Sequence, residues 1–155
     1  VEWANPLRGM TPTITEYQNE TSQREQLAKR LEALIRQGFE PGQIAIISLH
    51  GRSSTVFRDM DDVAGHGIRR FTGEHDLDGH PVHTHGPVQA ETVYRFKGQQ
   101  APAIILTDID LSGYTDHAAR ERSLLWCGLT RATVACELLV SEECGWRKRF
   151  KQAVR

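Results

Sequence analysis

Two short stretches carry side chains of the right types and spacing to meet a phosphorylated ligand. The first is Thr92-Val93-Tyr94-Arg95-Phe96-Lys97-Gly98-Gln99-Gln100, a basic turn with one glycine. The second is Gly128-Leu129-Thr130-Arg131-Ala132. Each runs into a strongly apolar segment, 103–108 after the first and 135–140 after the second. A turn leading into a buried strand presents ligand-facing groups on a rigid scaffold. An arginine at a helix end, just before such a strand, can give a phosphate two parallel charge-assisted hydrogen bonds.

Those groups need a frame, and the hydrophobic pattern supplies one. Residues 13–17 alternate as a strand does. Residues 21–37 switch to helical spacing, with Leu27, Leu31, Leu34 and Ile35 as the apolar stripe, Thr21 or Ser22 as cap, and Gly38 as stop. Pro41-Gly42 turns the chain into 44–48, a run suited to a strand covered on both faces. A short helix is expected over 53–62, with Val56, Phe57 and Met60 on one side, then a strand over 67–71. Residues 72–87 read as an exposed loop. Strands are expected near 88–93, 103–108 and 134–140, a helix near 117–130, and a last helix from about 142. This alternation argues for an α/β fold, a mostly parallel sheet with helices on both faces. Residues 1–12 read as a linker or entry arm and 13–155 as one domain.

The chain has 155 residues, enough for one domain that buries a sizeable core. Its formal net charge is −1, so no global field draws nucleic acid or membrane, and any basic surface is local. The apolar runs are too short to span a bilayer and no signal peptide opens the chain. Cys127, Cys136 and Cys144 form no disulfide framework, which points to buried thiols and a reducing, cytoplasmic setting. His75, His80, His83 and His85 share one segment without a nearby cysteine, so no metal site is expected there. The tail 146–151 is basic, as suits a helix C-terminus. The opening Val1-Glu2-Trp3 suggests a piece of a longer polypeptide.

The two stretches together resemble a known family. Residues 92–100, followed by Ala103-Ile104-Ile105-Leu106-Thr107-Asp108, resemble motif V of superfamily 1 helicases of the UvrD/Rep type, whose form is Thr-x-His-x-x-Lys-Gly-x-Glu. Leu125-Trp126-Cys127-Gly128-Leu129-Thr130-Arg131-Ala132 resembles motif VI, which ends in Thr-Arg-Ala. The order and separation match, and the opening strand, helix and strand resemble the start of the second RecA-like domain. The resemblance implies a RecA-like three-layer sandwich without its own phosphate loop. It implies Arg131 as the catalytic arginine finger for ATP, and Lys97, Gly98 and Gln100 on the nucleotide side. It implies Thr92, Tyr94 and Arg95 on single-stranded DNA. Tyr94 stands where the family has His, and Gln100 where it has Glu, which keeps an acceptor for a ribose hydroxyl and removes its charge. The family places Tyr-Arg just after the strand matching 44–48. Those positions read Ser48-Leu49, and the resemblance leaves Arg52, a few residues on, as the expected stand-in from the loop for a nucleotide ligand.

No Gly-x-x-x-x-Gly-Lys-Ser/Thr phosphate loop occurs, and no Asp-Glu pair for magnesium follows a suitable strand. The expectation is therefore a C-terminal motor domain of an ATP-dependent DNA helicase or translocase. ATP and Mg2+ would be shared with a first RecA-like domain of the same polypeptide, which holds the Mg2+; the fragment alone would bind neither and be inactive. A non-catalytic nucleic-acid or protein-binding module on the same fold is the other reading. About forty residues separate Arg52 from Thr92, too few for the extra subdomain many such helicases insert there.

Overall fold

The computed structural model describes residues 10–153, so most of the entry arm expected at 1–12 lies outside the described residues. The elements run β1 (Thr13–Tyr17), α1 (Glu20–Arg36), β2 (Ile44–Ser48), β3 (Asp62–Val63), β4 (His66–His75), β5 (Pro81–His83), β6 (Val88–Thr92) and β7 (Ala101–Ile109). Then follow α2 (Ala118–Leu129), β8 (Ala132–Ser141) and α3 (Arg147–Ala153). The sheet order is β1-β8-β7-β2-β6-β4-β3, with β5 paired to β4. From β1 across to β4 every pair is parallel, so these strands share one carboxyl edge and one amino edge. The expected mostly parallel α/β sheet is the one observed.

Both faces of the sheet are covered. One holds Leu27, Leu31 and Leu34 of α1 against Ile44, Ile46 and Ile105, with Val56, Phe57 and Val63 beside them. The other holds Leu125 of α2 and Trp146 and Phe150 against Ile47, Ile104, Leu106 and Val140. Residues with opposite parity on β2 and β7 thus face opposite layers, as period-2 geometry demands. This explains why those runs are apolar without alternation.

α1 is capped by Asn19, not by Thr21 or Ser22 as expected. The Asn19 side chain accepts from Ser22 N at 2.9 Å, and Ser22 Oγ accepts from Asn19 N at 3.1 Å. Ser22 is therefore the reciprocating member of a capping box. Gly38 takes a left-handed φ of +104° just past the end, the conformation that releases a helix C-terminus. Arg147 clamps Glu16 through Nε and Nη2 at 2.7 and 2.6 Å, with Lys151 at 2.8 Å, fastening α3 to β1. These partners hold the Glu16 carboxyl down at about 2.

Two expectations fail between β2 and β6. The helix over 53–62 is instead a single 3-10 turn at Arg52–Ser54 followed by irregular turns. Ser54 Oγ bonds Gly51 O at 3.1 Å and Thr55 Oγ1 bonds Arg52 O at 3.4 Å, and such local bonds compete with a helix ladder. The exposed loop over 72–87 is a β-hairpin. β4 runs on to His75 and pairs with β5, Phe71 opposite His83 and His75 opposite Pro81. Its high polarity reflects a hairpin with little core to bury, rather than a lack of structure. The last helix also starts later than expected, at Arg147.

One buried carboxylate joins several of these elements. Asp108 is 3% exposed and adopts φ +57°, at an irregularity where β7 leaves its register with β8. Its Oδ1 accepts from Gln23 Nε2 of α1 at 2.7 Å. Its Oδ2 accepts from Ser48 Oγ at the end of β2 at 2.5 Å and from Val56 N at 3.2 Å. Asp is among the few side chains that tolerate the left-handed region. Replacing Asp108 by Ala should cost about 3 kcal/mol in urea unfolding, because three buried donors lose their acceptor. Asp108→Asn should cost clearly less, and a loss below about 1 kcal/mol for the alanine variant would contradict this role.

Candidate nucleotide and nucleic-acid interfaces

The expected site residues divide between the two edges of the sheet. Motif V begins at the carboxyl end of β6 and ends at the amino end of β7, two strands away. The chain makes this crossing in the short segment 93–100, pinned by the buried side chains of Val93 and Phe96. Phe96 is therefore a core aromatic. Gly98 sits at φ +84°, a conformation that a side chain would strain.

At the amino edge the two stretches meet. Arg131 donates through Nε to Cys127 O at 3.1 Å, capping α2, and through Nη1 to Gln99 O at 3.4 Å. Its Nη2 lies 3.3 Å from Thr130 Oγ1. Ala101 N bonds Arg131 O at 3.0 Å, so backbone as well as side chain ties motif VI to the end of motif V. Gln99 is held in turn by Gln89 Nε2 at 3.1 Å and bonds Arg95 O at 3.3 Å. Lys97 and Gln100 remain exposed. Gly128 lets α2 approach β7: a Cβ there would come within 2.7 Å of Leu106 Cδ1. Arg131 does not pair with the acidic Glu121 of α2, which instead accepts from Ser112 N at 2.8 Å and Trp146 Nε1 at 2.6 Å.

At the carboxyl edge lie Thr92, Tyr94 and Arg95. Thr92 is buried and its Oγ1 accepts from Arg95 N at 3.3 Å, which shapes the start of the turn. Tyr94 is 52% exposed and belongs to no core. Arg95 stacks over Phe71 at 4.1 Å from the ring centroid and lies 3.3 Å from Glu91. Burial pushes the Glu91 carboxyl up, against the pull of Arg95 and His83. Arg52 follows the carboxyl end of β2 and lines one cleft with Phe71, Glu91, Thr92 and Arg95. It is thus grouped with the nucleic-acid candidates and not with Arg131 and Gln100, which precede their strands at the other edge.

Sequence reasoning missed His50. Its Nε2 lies 2.9 Å from both carboxylate oxygens of Asp110, and its Nδ1 lies 3.0 Å from Ser54 O. It lies beside Tyr94 in a second cleft that also takes in Asp110, His117 and Arg120. The only signal was Asp108 and Asp110 at the end of an apolar run. No three of the histidines 75, 80, 83 and 85 converge among the described residues; the one group close enough for a metal is Asp76, Asp78 and His80, all exposed. His75 and His83 pack on Phe71 instead, at 5.5 and 5.8 Å between centroids. Among the described residues, no helix is long and apolar enough to cross a membrane.

The parallel sheet covered on both faces, with two loop-borne sets of polar groups at its opposite edges, has the architecture of a RecA-like α/β fold. Residues 87–139 match the family model described as the UvrD-like helicase C-terminal domain, about a third of the chain. The match spans both stretches from which the site was built. The fold is shared with a structure described as the C-terminal domain of a possible DNA helicase from Lactobacillus plantarum WCFS1, at a TM-score of 0.63 and 16% identity, covering 89% of this chain and 81% of that one. No curated protein matches the chain.

The His50–Asp110 contact makes stability depend on pH. The hydrogen bond that His50 donates to Asp110 raises its pKa from the ordinary 6.5 to about 9, burial opposing. A raised pKa stabilises the fold below 6.5, and the contribution fades as pH climbs from 6.5 through 9. Both groups are partly solvated, so its size is about 1 kcal/mol. His50→Gln should therefore flatten the fall in unfolding free energy across that window, and an unchanged pH profile would rule out the pairing.

Proposed function

We propose that this domain is the second half of the motor of an ATP-driven DNA helicase or translocase. The reading rests above all on Arg131 bonding the end of the motif V turn, on an edge that offers cations and no phosphate cradle of its own. Phosphoryl transfer spreads charge over the equatorial oxygens of the γ-phosphate. Arg131 would meet that charge as an arginine finger, with Lys97 beside it. Its long bonds to Gln99 and Thr130 are weak enough to exchange for a phosphate. Gly98 shapes the turn, and Gln100 would accept from a ribose hydroxyl. A phosphate-loop domain would supply the opposite wall and hold Mg2+, either earlier in the same polypeptide or in trans. Thr92, Tyr94 and Arg95 would face single-stranded DNA, Tyr94 by stacking on a base. Rocking of the two domains on ATP binding and release would step the strand.

A non-catalytic binding module on this fold is favoured by one feature, the uncharged Gln100 where the family carries Glu. Turnover separates the two readings. In the polypeptide that joins this domain to a phosphate-loop domain, Arg131→Ala should lower kcat for ATP by about 10³-fold and leave single-strand affinity within about twofold. Because Arg131 also caps α2, a thermal melt should accompany the assay, and Arg131→Lys keeps the charge as a control. Unchanged turnover would overturn the finger assignment.

A further inference from the structure

The β4–β5 hairpin does more than fill the space between β2 and β6. We propose that β4 and the loop after β2 build a backbone-phosphate site for single-stranded nucleic acid, with Arg52 and Arg95 held ready on Phe71. It rests on the reading above, that the carboxyl edge faces the strand. Four arginines line the cleft beside Thr92: Arg52, Arg58, Arg70 and Arg95. Two are committed to structure. Arg58 pairs with Glu20 at 3.1 Å, and Arg70 bonds Met60 O at 2.6 Å and Asp61 at 3.3 Å.

The other two are positioned without being consumed. The Arg52 guanidinium lies against Gly73, where a Cβ would fall 2.3 Å from its Nη1. Gly73 has φ +94°, so both its missing side chain and its backbone suit this seat. Arg52 lies 5.8 Å from the Phe71 centroid and donates one long bond, to Thr72 O at 3.4 Å. Among the described residues it has no carboxylate within salt-bridge reach. Arg95 lies on the same ring at 4.1 Å, and Glu91 touches it at Nε, so the Nη fork is not what holds it. Glu91 is itself shared with His83 at 3.5 Å, which dilutes its hold on Arg95. An aromatic ring that orders two guanidinium groups lowers the entropy each would lose on binding a phosphate. Successive phosphates of a strand passing Thr92 suit two separate forks.

The test is binding of a fluorescent oligo-dT to the full chain at several salt concentrations, by anisotropy. Each phosphate contact on a single strand contributes about 0.7 to the slope of log K against log salt. Arg52→Ala should lower that slope by about 0.7 and weaken binding several-fold at low salt. Gly73→Ala changes no charge, yet should weaken binding similarly by unseating Arg52; circular dichroism checks its fold, and Arg52→Ala stands if it fails to fold. Thr92→Ala is the control for the underlying reading. If Thr92→Ala weakens binding while Arg52→Ala changes neither slope nor affinity, the hairpin site is wrong and the carboxyl edge still faces the strand. If neither variant has an effect, or the wild-type chain does not bind oligo-dT, both fall.

Discussion

The carboxyl edge of this domain depends on one buried carboxylate. Asp108 takes donors from α1, from the end of β2 and from the loop that leads to the hairpin. It does so from a left-handed residue at the end of the central strand β7. Its position is where connections from β2 depart in one direction and later strands return on the other side, the place where open α/β sheets bind ligands. The loop it anchors carries His50 and Arg52, and its neighbour β6 carries Thr92. A fixed Asp108 therefore sets the distance between the β2 loop and motif V.

The parallel sheet then separates two sets of polar groups. Groups that precede β7 and β8 gather at the amino edge, where Arg131 meets Gln99. Groups that follow β2, β6 and β7 gather at the carboxyl edge, where Arg95, Phe71 and His50 lie. The segment 93–100 crosses from one edge to the other. It is short, buried at Val93 and Phe96, and bonded at its far end by Arg131. A shift of Arg131 toward a phosphate would release one of the bonds that hold this turn. Under the proposed function, that would give a physical route by which nucleotide at one edge alters grip on a strand at the other, through a packed element.

Much of this was legible in the sequence, and the exceptions have causes. Apolar runs at 44–48 and 103–108 announce two-sided burial, so the central strands and α1 emerge where expected. The cap at Asn19 was passed over because Thr21 and Ser22 are equally good cappers one turn into the helix. The strand over 67–71 was expected, but the rest of the hairpin was hidden because past Phe71 its two strands are polar apart from Pro81 and Val82 and are exposed or half-buried. The β2 loop looked helical from Val56, Phe57 and Met60, whose spacing serves packing in an irregular turn. The grouping of Arg52 with Thr92 was beyond the sequence altogether. It depends on strand direction, which decides the edge where a loop emerges, and on Gly73, a residue 21 positions away that clears its seat.

The central claim is that one edge meets nucleotide and the other meets nucleic acid. The most direct measurement is an amide chemical-shift titration of the isotope-labelled chain with oligo-dT. The account predicts perturbations at 50–54, 71–73 and 92–95, with the amides of 97–100 and 128–131 moving little. Perturbations concentrated at 97–100 and 128–131, with the carboxyl edge silent, would contradict it.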